Sequence, residues 1–273
     1  MPQLAAPPAS EAAAREARAA AIHGAVRAIG DGGPWPGPTG VVRLEIVLPG
    51  ETVEAWTVHF VGSGPRVVHD VEPDAVVRVG LDDLVRLAAG QADGALLYLA
   101  GALSVAGRED LVLGVGSLLR APGSDRAVID AGALDPVAVS VAIADTPSEH
   151  LDAVMSGGFR ELVLTEVFRR LPEFLIAEKA VGVRLAIGFE IAGPVGAAAD
   201  RYVVRVAGGA CEVVVGGRDD AVDATIELEG HEFLRLVLGH LNPVRGVLSG
   251  QLRVRGRIVK ALGFNAVMRI PGS

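Results

Sequence analysis

A chain that contains its own fold twice has few architectures open to it, and this one repeats itself without a gap. Gly101-Ala102-Leu103-Ser104-Val105-Ala106-Gly107-Arg108 recurs 149 residues later as Gly250-Gln251-Leu252-Arg253-Val254-Arg255-Gly256-Arg257. The same offset aligns residues 74–123 with 223–272, pairing Asp74-Ala75 with Asp223-Ala224, Arg86-Leu87 with Arg235-Leu236, and Gly90 with Gly239. Roughly three in ten of these positions are identical, more than a glycine-rich composition delivers over an ungapped stretch. Upstream the match holds only with shifts: Val42-Arg43-Leu44 answers Val183-Arg184-Leu185, and Trp56 answers Tyr202. The repeat predicts two homologous domains, 1–123 and 158–273, of one fold, with Leu103 and Leu252 at equivalent positions. The segment 124–157 between them is too long for a bare linker, and its apolar run 137–144 predicts a buried strand that packs.

Each unit reads in the same order. In the first, Ser10 caps an Ala-rich helix over 11–29 that stops at Gly30. Strands follow over 41–48, 55–61 and 74–79, with Trp56, Val58 and Phe60 on one face. A helix over 81–89 carries Leu81, Leu84, Val85 and Leu87 on one stripe and ends at Gly90. A strand over 103–107 and a helix over 110–119 close the unit. In the second, a leading helix over 159–171 precedes strands over 183–191, 201–206, 211–215 and 224–228. A helix over 231–238, a strand over 251–255 and a helix over 258–265 complete it.

Composition excludes several classes. With a net charge of −8, non-specific binding to nucleic acid or to an anionic membrane is disfavoured, though local basic strips stay open. Arginine far outnumbers lysine, which occurs only at Lys179 and Lys260, a bias that reads as a GC-rich bacterial genome. Cys211 is the single cysteine, so no internal disulfide or multi-cysteine metal site forms, consistent with a reducing cytoplasm. The first residues lack a basic region leading into an apolar stretch, so no secretory signal is expected. The apolar run 87–107 is interrupted by Gln91 and Asp93, against a membrane span.

Catalytic motifs are fragmentary. His231-Glu232-Phe233-Leu234-Arg235 places arginine where a zinc protease needs its second histidine, and His240 is nine residues from His231, so no metal site is expected. Gly114-Val115-Gly116-Ser117 is only part of a nucleophile elbow, and neither a phosphate-binding loop nor a dinucleotide fingerprint is present. Cys211 sits in an apolar strand pattern, as a core residue would. Glu45, Glu190 and Glu227 would serve as acids only if they projected into a cavity.

The blocks 101–113 and 250–262, each preceded by an amphipathic helix ending in glycine, resemble the sterol-carrier-protein type of lipid-binding domain. In that family a Gly-x-Leu-x-Val/Ile-x-Gly strand leads into the final helix. The stretch Glu166-Val167-Phe168-Arg169-Arg170-Leu171-Pro172-Glu173-Phe174 is similar to its leading helix. The resemblance implies an α+β fold: two tandem domains, each a curved, mainly antiparallel five-stranded sheet covered by helices, with an apolar tunnel for fatty acyl chains, sterols or isoprenoid-like molecules. It implies a soluble, cytoplasmic carrier that needs no cofactor, with at most transient membrane contact. The inward stripes of the second unit, which should hold the better cavity, supply the ligand contacts: Phe233, Leu236, Val237, Leu241, Val247, Leu248, Phe264 and Met268. The alternatives are a natural-product cyclase or isomerase using the same cavity, and an assembly module with a closed core. On the first Gly-framed strand, Ala102, Ser104 and Ala106 are small and uncharged, so a cover is expected there: the segment 137–144, the second unit, or a second copy of the chain in a homodimer.

Overall fold

Period-two alternation of apolar residues is realised in strands, ten among the described residues. The computed structural model describes residues 34–120, 125–216, 221–269 and 271, so the helix expected over 11–29 lies outside the described residues. Two compact units emerge, one containing the chain up to Gly94 with Leu103–Ile129, the other Ala95–Ala102 with Asp130 onward. In chain order the elements are β1 (Gly40–Val47), β2 (Val53–Phe60), β3 (Arg66–Val68), β4 (Ala75–Gly80), α1 (Leu81–Ala88), α2 (Gly94–Leu99), β5 (Leu103–Gly107) and α3 (Glu109–Leu118). Then come α4 (Pro136–Ile143), α5 (Ser148–Ser156), α6 (Arg160–Arg170), α7 (Ala177–Ala180), β6 (Arg184–Ile191), β7 (Asp200–Ala207) and β8 (Ala210–Val215). The chain continues through β9 (Ala224–Leu228), α8 (Gly230–Val237), α9 (Pro243–Ser249), β10 (Leu252–Gly256) and α10 (Ile258–Val267).

The two sheets have one topology. Their strand orders are β3-β2-β1-β4-β5 and β8-β7-β6-β9-β10, and in each the central pair, β1 with β4 or β6 with β9, is parallel while the other pairs are antiparallel. The fold is therefore α+β with two open, mixed five-stranded sheets. Leu103 pairs with Val79 and Leu252 with Leu228, so the Gly-framed strands occupy the same place in their sheets, as the repeat requires.

A small polar knot explains why the repeat keeps its aspartate and its second glycine. Asp74 Oδ2 accepts from Val41 N at 2.7 Å, and Asp223 Oδ2 accepts from Ala186 N at 3.0 Å. The carbonyls of the same aspartates accept from Arg108 N and Arg257 N, each at 2.9 Å. One residue thus ties the start of the parallel pair to the end of the last strand. Gly107 and Gly256 pass over those carbonyls at φ of 87° and 90°, where a side chain has no room.

Three expectations are corrected. The shifted match between Val42-Arg43-Leu44 and Val183-Arg184-Leu185 is off by four residues: Val42 pairs with Ala75 as Ile187 pairs with Ala224, so Leu44 answers Phe189. Trp56, paired with Leu44, does answer Tyr202, paired with Phe189. The run 137–144 is not a strand but the helix α4. Its Val-Ala-Val-Ser-Val alternation mimics a strand, yet Asp135 caps Val137 N and Pro136 occupies the first turn, and this helix-start chemistry prevails. α4 packs through Ser140 and Ile143, and Ser140 Oγ donates to Leu238 O at 3.0 Å. Finally, Ala102, Ser104 and Ala106 are exposed, so the expected cover by the segment 137–144 is not found among the described residues.

Candidate functional site

The second unit encloses an apolar cavity of about 190 Å³ between the inner face of its sheet and its helices. β6 and β9 supply Phe189 and Ile226, and α6 supplies Leu162, Val163 and Val167. α8, α9 and α10 close one side. Ala95, Tyr98 and Leu99 of α2 also line it. Their segment is held in this unit by His150, whose Nε2 donates to Tyr98 O at 2.6 Å, and by Tyr98 packing on Phe159 at 4.2 Å between ring centroids.

An aromatic cluster stiffens one wall. Phe168 stacks on Tyr202 at 3.8 Å and on Phe233 at 5.1 Å, while Phe189 meets Phe233 and Phe264 edge-on at 6.0 and 5.9 Å. Such pairs add to burial about 0.5–1.5 kcal/mol each. Burial, and then the Asp200 carboxylate, push the Tyr202 phenol above its ordinary pKa. At the N-terminal end of α6, the buried Arg160 guanidinium binds Asp200 Oδ2 at 2.8 Å and donates to the carbonyls of Met155, Ile191 and Ala192. These contacts tie the start of α6 to β6 and β7.

Of the eight residues singled out from sequence, Phe233, Leu236, Val237, Val247, Phe264 and Met268 line the cavity. Leu241 and Leu248 are outside that lining, and Leu248 is 82 % exposed. On α9 Leu248 faces solvent, and Gly246 is the buried position of that helix. Tyr98, Phe159, Val163 and Phe174, which also line the cavity, were not expected. Tyr98 lies in the first repeat, and no local signal could assign it to the second unit.

The polar candidates lie elsewhere. Among the described residues lining the cavity, Glu166 carries the one carboxylate, and it binds Arg169 at 2.8 Å and Arg170 at 3.5 Å. Glu45, Glu190 and Glu227 do not line it and pair with Arg78, Arg201 and Arg255 at 3.5, 2.7 and 2.5 Å. His231 Nδ1 contacts Asp152 at 2.5 Å, whereas His240 Nε2 donates to Ser140 O, so the two histidines serve different partners. The described residues hold no cluster of three or more metal-ligating side chains and no helix long and apolar enough to cross a membrane. Burial pushes the Cys211 thiol up to about 11. Its alkylation rate at constant reagent should therefore climb about tenfold per pH unit through pH 9; a plateau near pH 8.5, seen by mass spectrometry of the labelled chain, would mean the thiol is not buried.

A doubled α+β unit with an apolar, aromatic-walled interior belongs among the small domains built around a hydrophobic space. The family model for the SCP-2 sterol transfer family matches residues 38–120 and 176–269, and the chain belongs to that family. Solved structures similar to it include sterol carrier protein 2 from Yarrowia lipolytica in its apo form, at 20 % identity over 42 % of this chain and 94 % of that one, with a TM-score of 0.34. Another is sterol carrier protein 2 like 2 from Aedes aegypti, at 24 % identity over 36 % and 92 %, with a TM-score of 0.31. The inverting sec-alkylsulfatase Pisa1 from Pseudomonas sp. matches at 17 % identity and a TM-score of 0.36, covering 49 % of this chain, which spans 25 % of that enzyme's length.

Proposed function

We propose that this protein is a cytoplasmic carrier of hydrophobic small molecules, fatty acyl, sterol or isoprenoid-like, held in the cavity of the second unit. The observation that carries the reading is the composition of the wall: apart from Glu166 and a few residues at its rim, aliphatic and aromatic side chains face the space. Phe233, Leu236, Val237, Phe264 and Met268 are the contacts assigned to the ligand. Removing about 400 Å² of apolar ligand surface from water contributes on the order of 10 kcal/mol before ordering costs, and no acid, metal or cofactor is needed for that. Ligand sites commonly measure roughly 300–1,000 Å³. A cavity of about 190 Å³ therefore takes one end of such a molecule, and the walls move apart or the remainder projects through the mouth.

Organic extraction of the purified chain followed by mass spectrometry, with titration of anthroyloxy-labelled stearate, tests the proposal. A co-purified lipid and saturable stearate binding are expected. Ala261→Phe, which places a ring in the cavity, should weaken stearate binding at least about tenfold. An extract without hydrophobic compounds together with no saturable binding would overturn the reading.

A further inference from the structure

The outer face of the second sheet carries a cleft separate from the cavity. Side chains alternate across a strand, so Phe189 and Ile226 face the cavity while their neighbours Glu190 and Glu227 line an open cleft of about 480 Å³ on the other side. Glu229 and Glu232, at the start of α8, and Arg253 of β10 complete its charged lining. Glu190 is the register partner of both Arg201 and Glu227, and Glu227 is that of Arg253, so the four form a row across the sheet with two carboxylates side by side in its middle. Each of these two leans on an arginine, Glu190 on Arg201 at 2.7 Å and Glu227 on Arg255 at 2.5 Å.

Glu232 has no such support. Its side chain is only 9 % exposed, yet it lines the cleft. Among the described residues no hydrogen bond reaches its carboxylate, and its one ion-pair contact, His231 Nε2 at 4.0 Å, is beyond hydrogen-bond reach on a ring already held by Asp152. Comparison of the repeats shows that this isolation is particular to the second copy. The counterpart of Glu232 is Asp83, which binds Arg86 one turn on at 3.1 Å. The counterpart of Arg86 is Arg235, which turns away and donates to Thr146 O at 2.8 Å. Glu45, the counterpart of Glu190, is met by Arg78 at 3.5 Å, where the second copy has Glu227. Glu229 stands in the place of Gly80. The second copy has thus gained acids and lost their cations, and a buried carboxylate without donors costs free energy that an incoming cation would relieve.

We infer that the cleft binds a small organic cation, an aliphatic amine whose ammonium group donates to Glu232 and Glu229. The acids are not grouped for a metal: no three metal-ligating side chains among the described residues stand close enough to hold an ion. Carboxylates spread around a wide cleft suit a ligand that brings its own N–H donors on a carbon chain, and each ammonium supplies three. Charge-assisted hydrogen bonds of this kind are stronger than neutral ones, and Glu190 and Glu227 deepen the negative potential of the floor. The volume of about 480 Å³ is that of a small-molecule site. Because the cleft and the cavity lie on opposite faces of the sheet, the inference does not depend on the carrier reading.

Equilibrium dialysis of the full chain against radiolabelled cadaverine at constant ionic strength is the test. Saturable binding is expected, with none for the neutral diol of the same chain length. Glu232→Gln keeps the shape of the side chain and removes its charge, and should weaken cadaverine binding at least about tenfold. Glu229→Gln, at an exposed position, should weaken it several-fold without moving Tm. Asp82→Asn makes the same charge change at an exposed position outside the cleft and should leave binding as in the parent chain. Absence of saturable cadaverine binding, or equal binding by the Glu232→Gln variant, would overturn the inference. So would equal effects of Glu229→Gln and Asp82→Asn, which would reduce the binding to diffuse attraction by a chain of net charge −8. Displacement of cadaverine by equimolar magnesium chloride would assign the cleft to a metal ion and overturn it as well.

Discussion

Phe233→Ala should cost about 4 kcal/mol of stability, measured by urea denaturation, the usual range for emptying a fully buried aromatic position. The side chain is fully buried and its ring touches both Phe168 and Phe189. Alanine removes the transfer energy of the ring and breaks two aromatic pairs at once. Because Phe233 lines the cavity, the space it vacates joins space already present, and the walls gain little by collapsing. Leu84 is its counterpart in the first unit and is only half-buried, so Leu84→Ala should cost visibly less. A loss below about 1 kcal/mol for Phe233→Ala would show that the ring does not bridge sheet and helix.

The elements legible in the sequence were those whose local chemistry and tertiary packing agree. α1 and α8 were readable because Leu84 and Leu87, or Phe233 and Leu234, sit on a single stripe bounded by Gly90 or Gly239. The expected bounds of β5 and β9 coincide with the observed ones, and those of β4 and β10 differ by one residue, since each alternates cleanly and ends at a turn. Where a signal was locally ambiguous, the shorter-range chemistry decided: Asp135 and Pro136 start a helix in a run that otherwise alternates like a strand. β3, α2 and α9, of three, six and seven residues, are too short for a period to stand out. Phe233, Leu236, Val237 and Phe264 of the cavity lining lie on helices legible within one repeat. The contribution of Tyr98 was not legible, because a residue of the first repeat that packs in the second unit obeys no pattern local to either.

Gly256→Ala should destabilise the chain by about 3 kcal/mol, and Gly107→Ala by at least as much. Two separate costs combine. At φ of 90° and 87° an L side chain is strained, for about 1 kcal/mol. A Cβ at Gly256 would also stand 2.7 Å from Asp223 O, and one at Gly107 only 2.3 Å from Asp74 O. That atom is backbone and cannot swing away. Asp223 donates its N–H to Ala186 O, accepts Arg257 N on its carbonyl and holds Ala186 N with its carboxylate, so relieving the clash disturbs three hydrogen bonds that join β6, β9 and β10. Gly250→Ala isolates the strain: its φ is 81°, yet nothing lies within 4 Å of a Cβ there. It should cost about 1 kcal/mol. The difference between Gly256→Ala and Gly250→Ala, taken from urea midpoints at equal m, measures the contact with the aspartate carbonyl. Equal losses would remove the steric reason for the second glycine of the repeated strand, leaving backbone conformation alone to account for it.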